Sequence, residues 1–164
     1  MKKLLLLSAL LVSFSSFGQT AFEYFISGND KAKANDHYGA ISDYNKSIEL
    51  APNSTVYYYR GNSKADLKDY NGAISDYNKA IESNPNKADA YYNRALSKGY
   101  LKDYYGAIFD YTKVIELNPN YAVAYNNRGA QKYYINDLKG ACEDAKKSKS
   151  LGYDASKLIQ AACN

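Results

Sequence analysis

Few residues of this chain could carry out chemistry on their own. The 164 residues include two cysteines, Cys142 and Cys163, and a single histidine, His37, which lies far from both in the sequence. This separation argues against a metal site built from cysteine and histidine. The sequence has no glycine-rich phosphate loop and no nucleophile motif, and its prominent acidic residues all follow a regular repeat. We therefore predict a protein that is not an enzyme and has no cofactor or metal.

The two cysteines bear on the compartment as well as on the fold. Lys2 and Lys3 precede an apolar run, 4–17, and Ser16 and Gly18 are small residues of the kind that signal peptidases recognise. We expect residues 1–18 to be a signal peptide, removed after Gly18, and the protein to be periplasmic or extracellular. The alternative is a membrane anchor, although the run is shorter than the ~20 residues that span a bilayer.

An exported chain with an even number of cysteines favours a disulfide, here between Cys142 and Cys163. The alternative is two free or buried thiols. The formal net charge is +4, and Lys2 and Lys3 supply two of these charges. The remainder is close to neutral, so the sequence does not favour a nucleic-acid partner. After removal of the signal peptide we expect no stable membrane span.

A repeated segment organises the rest of the chain. Residues 39–49 recur almost unchanged at 72–82, and weaker copies begin at Gly106 and Gly140. A period of 33 or 34 residues indicates stacked supersecondary units. Apolar spacing predicts two helices in each unit, separated by a polar break that contains an aspartate, a residue that caps helices well. The predicted first helices are 21–34, 54–67, 88–101 and 122–135, and the second are 38–50, 71–83, 105–117 and 138–150.

These units resemble tetratricopeptide repeats. The resemblance rests on small residues in the first helix, an alanine and an aromatic residue in the second, and a proline after it. In order, these are Gly28, Gly61, Ala95 and Gly129; Ala40, Ala73, Ala107 and Ala141; Tyr44, Tyr77 and Tyr111; and Pro52, Pro85 and Pro119. The fourth repeat departs from the pattern with Ala145 and Tyr153.

The resemblance implies an all-α fold, a right-handed α-solenoid of about four repeats. The expected organisation is an array over 19–153, with repeats at about 21–53, 54–87, 88–121 and 122–153. A C-terminal capping helix is expected in 154–164, with Asp154 as its N-cap and Cys163 near its end. Such a helix would cover the last apolar surface of the array.

The resemblance also implies a binding surface. First helices of this family line a concave face, which here would present aromatic rings and amides to a protein or an extended peptide. The expected groove residues are Phe22, Phe25, Asn29, Tyr58, Asn62, Tyr92, Leu96, Tyr100, Asn126 and Tyr133. Two alternatives remain open. One is a self-associating structural module, a homo-oligomer, and the other is a glycan-binding envelope protein.

One departure from the family pattern concerns charge. Arginine occupies a position in the first helix that is usually leucine, and aspartate recurs in the second helix. The arginines are Arg60, Arg94 and Arg128, and the aspartates are Asp43, Asp76, Asp110 and Asp144. Because an arginine between helices needs an acidic partner to offset its desolvation, we predict a ladder of structural ion pairs. Pairing within a repeat and pairing between repeats both remain possible. The functional alternative is an arginine row that reads phosphate or carboxylate ligands.

Overall fold

The computed structural model describes residues 20–163. The predicted signal peptide, 1–18, lies outside these residues. The chain divides after Ser83 into two compact units. Both are built from helices joined by short turns, and residues 20–163 contain no strand, which confirms the predicted all-α repeat fold. Within residues 20–163 we find no apolar helix of the length that spans a bilayer.

Each unit contains two repeats, and each repeat is a pair of helices. Unit 1 consists of α1 (20–33), α2 (His37–Leu50), α3 (Ser54–Asp66) and α4 (Tyr70–Ser83). Unit 2 consists of α5 (Ala88–Tyr100), α6 (Tyr104–Leu117), α7 (Ala122–Tyr134), α8 (Leu138–Ser150) and α9 (Ser156–Ala162). The predicted helices therefore agree with those observed to within one or two residues at each end.

The turn inside each repeat is built from an aspartate and a glycine. In the first repeat the carboxylate of Asp36 accepts a hydrogen bond from the backbone N–H of Gly39 at 2.9 Å, which caps α2. Asp69, Asp103 and Asp137 cap the other second helices in the same way. A Cβ on the glycine would collide with the capping carboxylate, which explains why glycine recurs three residues after each aspartate.

Small residues and tyrosines form the interior of each repeat. The ring of Tyr77 lies over Gly61, where an added Cβ would come within 2.7 Å of Tyr77 Cε1. Tyr44 lies over Gly28 in the same way. Both rings are buried, and the absence of a side chain on the glycine lets each ring lie close to the first helix.

The fourth repeat is closed differently. Ala145 stands where the other repeats have tyrosine, and Leu158 from α9 lies against Gly129 of α7 instead. A disulfide joins Cys142 in α8 to Cys163, the residue that follows α9, with their Cα atoms 5.1 Å apart.

The start of α9 differs slightly from the expectation. Ala155, rather than Asp154, occupies the N-cap position. Asp154 nevertheless accepts a hydrogen bond from the Ser156 N–H at 3.0 Å. Hydrogen bonds from the Ser156 side chain, and then from its N–H, lower the pKa of this carboxyl.

Candidate functional site

The arginines and aspartates meet within each repeat. In the second repeat, Arg60 donates two hydrogen bonds to the carboxylate of Asp76, from Nε at 2.9 Å and from Nη2 at 2.6 Å. Arg94 with Asp110, and Arg128 with Asp144, repeat this two-pronged geometry. Each pair joins a first helix to the second helix of the same repeat, so the structure resolves the choice left open by the sequence.

Sequence reasoning missed a second cation at each of the three aspartates that pair with an arginine. Lys64, four residues after Arg60, also binds the Asp76 carboxylate, at 2.8 Å. Lys98 and Lys132 do the same to Asp110 and Asp144. The signal was present in the sequence, because these lysines share the 34-residue spacing of the arginines.

The first repeat has no arginine at this position. Asp43 instead binds Lys31 at 2.7 Å and accepts a hydrogen bond from the Ser27 hydroxyl at 2.6 Å. Burial raises the pKa of Asp43, but the hydrogen bonds and the positive charge of Lys31 outweigh it and leave the pKa below its usual value. One lysine and one hydroxyl are thus enough to hold this buried carboxylate ionised.

The guanidinium groups are also held from other sides. Arg60 Nη1 donates to Asn45 of α2 at 2.6 Å, and Arg128 Nη1 donates to Thr112 of α6 at 3.1 Å. The guanidinium carbon of Arg60 lies 5.5 Å from the ring centre of Tyr57. Arg94 and Arg128 lie similarly over Tyr91 and Tyr125. These contacts favour the structural ladder over an arginine row that reads anionic ligands.

The predicted groove residues of unit 1 divide between core and surface. Phe25 packs against the buried cluster of Ala40, Tyr44 and Val56, whereas Phe22 is 60% exposed. Both phenylalanines line a cleft of about 360 Å³ that also borders Val56.

The asparagines of unit 1 have structural partners. Asn29 Oδ1 accepts the Tyr44 hydroxyl at 2.8 Å, and Asn62 Oδ1 accepts the Tyr77 hydroxyl at 2.9 Å. Tyr58 lies beside Tyr77, with ring centres 6.1 Å apart. These side chains therefore hold the interior in place as well as facing outward.

In unit 2 the same surface is more apolar. Leu96 replaces the asparagine and packs on the core, and the buried hydroxyl of Tyr111 has no hydrogen-bond partner among the described residues. Asn127, which lies close to it, donates instead to the Tyr92 hydroxyl at 3.0 Å. Tyr92 belongs to the interior, since its ring lies 5.7 Å from that of Tyr111 and 5.4 Å from that of Tyr121.

Other groove residues of unit 2 lie at the surface. Tyr100 is 67% exposed and Tyr133 is 40% exposed. Asn126 lines a cleft of about 490 Å³ together with Tyr153 and Lys157. The predicted groove set thus contains two kinds of residue. Phe22, Tyr100, Tyr133 and Asn126 are placed to contact a partner. Phe25, Tyr92 and Leu96 instead pack in the core.

Burial shifts the ionisation of the interior tyrosines. It raises the pKa of Tyr44 to about 12, with a smaller contribution from the nearby Tyr59. Burial also raises the pKa of Tyr77 and of Tyr111 strongly. All three are therefore neutral hydroxyls at physiological pH. Within residues 20–163, no group of three or more histidine, cysteine or acidic side chains is arranged to hold a metal ion.

Paired helices with small-residue contacts and a ladder of buried ion pairs define a helical-hairpin repeat protein. Residues 88–121 match the family model for the tetratricopeptide repeat, and residues 61–98 match a second model described as a TPR repeat. The family models thus identify tetratricopeptide repeats over residues 61–121, and the same pairs of helices recur in the repeats before and after them. A comparison with curated protein sequences finds no match.

Several solved structures have a similar fold. The crystal structure of MamA protein is 25% identical, with a TM-score of 0.80 over 89% of this chain and 87% of that one. The crystal structure of YrrB, described as a TPR protein with an unusual peptide-binding site, is 19% identical, with a TM-score of 0.79 over 99% of this chain and 88% of that one. The first TPR of Spaghetti (RPAP3), bound to the HSP90 peptide SRMEEVD, is 26% identical, with a TM-score of 0.65 over 67% of this chain and 90% of that one.

Proposed function

We propose that this protein is a non-catalytic scaffold that binds an extended peptide or protein segment on the surface of its first helices. The family consists in general of interaction scaffolds, and one similar structure, the first TPR of Spaghetti (RPAP3), holds a peptide. The geometry supports the non-catalytic part of this proposal, because the acidic and basic side chains that recur in each repeat bind one another.

The observation that carries the proposal is the exposure of aromatic rings on first helices. Tyr100 near the end of α5 and Tyr133 near the end of α7 expose 67% and 40% of their surface. Exposed tyrosines offer a large contact area at a small cost in side-chain entropy, and they are frequent anchors in binding sites. Asn126, at the neighbouring cleft, can bond a peptide backbone through either its oxygen or its nitrogen.

The setting that we propose is the cell envelope or the extracellular space. Two features of the sequence support it, namely the basic start with its apolar run and the pair of cysteines. The disulfide between Cys142 and Cys163 suits an oxidising compartment. N-terminal sequencing of the protein recovered from envelope and culture fractions tests this, and a cytoplasmic protein that retains residues 1–18 would refute it.

The binding proposal can be tested with a displayed library of random peptides selected on the immobilised protein. An enriched peptide, labelled with a fluorophore, is then titrated with variants by fluorescence anisotropy. Tyr100→Ala and Tyr133→Ala are expected to weaken binding by roughly tenfold each, as is typical of aromatic anchors. The matched control is Tyr38→Ala, because Tyr38 is 76% exposed but lies on a second helix.

The outcome that would refute the binding surface is equal affinity of all three variants for the enriched peptide. Failure to enrich any peptide would count against the choice of an extended peptide as ligand. Tyr92→Ala is a poor probe, because Tyr92 packs on Tyr111 and its loss would disturb the core.

A further inference from the structure

The outer face of α6 carries two exposed rings one helical turn apart. Tyr105 is 73% exposed and Phe109 is 58% exposed. The corresponding residues are Asn71 and Ser75 in α4, Lys139 and Glu143 in α8, and Tyr38 and Ser42 in α2. Among these second helices, α6 alone presents two large apolar side chains at these positions. Repeat structure does not require them, since the other repeats form the same helix with polar residues.

Charged residues lie on both sides of the two rings in the sequence. Lys113, one turn beyond Phe109, lies 5.9 Å from the centre of its ring and binds Glu116 at 2.6 Å. Lys102 is exposed in the turn that precedes α6. We call Lys102, Tyr105, Phe109, Lys113 and Glu116 the α6 stripe.

The spacing of the residues in the α6 stripe is symmetric about Phe109. Lys102 and Glu116 lie seven residues before and after it, and Tyr105 and Lys113 lie four before and after. A stripe with this property complements itself when a second copy is turned end to end. Opposite charges then face each other at both ends, and each tyrosine ring faces a lysine.

We propose that the α6 stripe is a homodimer interface in which α6 of one copy packs antiparallel against α6 of a second copy. Phe109 contacts its counterpart at the centre, Tyr105 of each copy packs against Lys113 of the other, and Lys102 of each copy pairs with Glu116 of the other. Antiparallel helices also bring opposite ends of their dipoles together. The interface is isologous, as in most homodimers.

α4 carries the same charges in Lys68, Lys79 and Glu82, so the two rings are what sets α6 apart. The charges of the α6 stripe are complementary to those of a second, antiparallel copy, and this complementarity favours a second copy as the occupant. One helix face against another buries less than the ~1,200 Å² of a typical stable interface. The dimer is therefore weak, with dissociation on the order of micromolar concentrations. Its formation leaves the surface of the first helices available for the peptide proposed above.

Sedimentation equilibrium of the purified exported protein over a range of concentrations tests the proposal. The wild type is expected to pass from monomer to dimer, and the double variant Tyr105→Asn, Phe109→Ser to raise the dissociation constant by roughly tenfold or more. These replacements are the residues that α4 carries at the same positions, so the helix is retained. Tyr38→Asn is the control and leaves the dissociation constant unchanged. A concentration-independent monomer, or a dimer unaffected by the double variant, would overturn the proposal.

Charge reversal tests the antiparallel arrangement. Lys102→Glu and Glu116→Lys each place like charges opposite one another and weaken self-association. An equal mixture of the two variants restores it, because in the mixed dimer both ends again pair opposite charges. A mixture that associates no better than either variant alone would rule out this arrangement. Peptide binding, measured in parallel on the same variants, stays at the wild-type level and so separates this proposal from the preceding one.

Discussion

Leu158 lies against Gly129 in the fourth repeat in the way that Tyr77 lies over Gly61 in the second. A Cβ on Gly129 would come within 2.9 Å of Leu158 Cδ2. The terminal helix α9 therefore supplies from outside the repeat a side chain that the earlier repeats supply from their own second helix. In the fourth repeat, therefore, Leu158 of α9 covers the glycine that a tyrosine covers in the first two repeats, and position 145 is occupied by alanine.

The first prediction concerns this contact. Leu158→Ala is expected to lower the free energy of unfolding of the protein by roughly 1–3 kcal/mol, since Leu158 is half-buried and its loss leaves Gly129 uncovered. Urea unfolding followed by circular dichroism measures it. Lys157→Ala, an exposed change on the same helix, is the control, and an equal effect of both variants would contradict the packing role.

The second prediction concerns the disulfide. The bridge closes a sequence separation of 21 residues, so the double variant Cys142→Ser, Cys163→Ser should lower stability by about 3 kcal/mol on the chain-entropy model. Thermal unfolding with and without a reductant checks this. The reductant should destabilise the wild type and leave the double variant unchanged. Two free thiols in the mass of the protein purified without reductant would show that the bridge does not form.

The third prediction separates the partners in the ion-pair ladder. Asp110→Ala is expected to cost roughly 3–5 kcal/mol, because it leaves the largely buried Arg94 and Lys98 without their shared carboxylate. Arg94→Ser should cost distinctly less, since Lys98 remains and the first repeat holds Asp43 with only Lys31 and Ser27. Chemical unfolding of both variants gives the comparison, and an arginine variant as unstable as the aspartate variant would contradict it.

The fourth prediction compares two buried tyrosines. Tyr77→Phe removes the hydroxyl that donates to Asn62 and should destabilise the protein by about 1 kcal/mol. Tyr111→Phe removes a buried hydroxyl without a partner, so the change should be neutral or slightly stabilising. Unfolding curves of the two variants, measured side by side, decide the matter. A larger loss at Tyr111 than at Tyr77 would mean that its hydroxyl has found a partner.

The fifth prediction concerns alkaline pH. Burial raises the pKa of Tyr44 to about 12 and raises those of Tyr77 and Tyr111 strongly, whereas tyrosines in an unfolded chain ionise near ~10. The stability due to these neutral hydroxyls is complete below the unfolded pKa and is lost as pH rises through the folded one. Ultraviolet titration should show one group of tyrosines ionising early and another late. Tyr77→Phe should shorten the late phase. A single early step in a protein that is still helical would contradict this.

Much of the fold could be predicted from sequence because the relevant signals are local and recur. Asp36 and Gly39 show this, since a cap and its glycine are three residues apart and act within one turn. The period of 33 or 34 residues likewise sets the number of helix pairs and where each begins and ends. The repeat also assigned Tyr44, Tyr77 and Tyr111 to one class of position, and all three are buried.

Tertiary structure alone decided which atoms meet across 15 or 16 residues. The sequence indicated that Arg60 needs an acidic partner. Only packing shows that Lys64 also binds Asp76, and that Asn62 accepts a hydrogen bond from the Tyr77 hydroxyl. Packing also separates Tyr92, which belongs to the interior, from Tyr100 and Phe109, which are exposed. The physical reason is that periodicity specifies the face of a helix on which a residue lies. How far that face is covered, and which polar atoms lie within hydrogen-bond distance, depend on neighbouring helices that are remote in sequence.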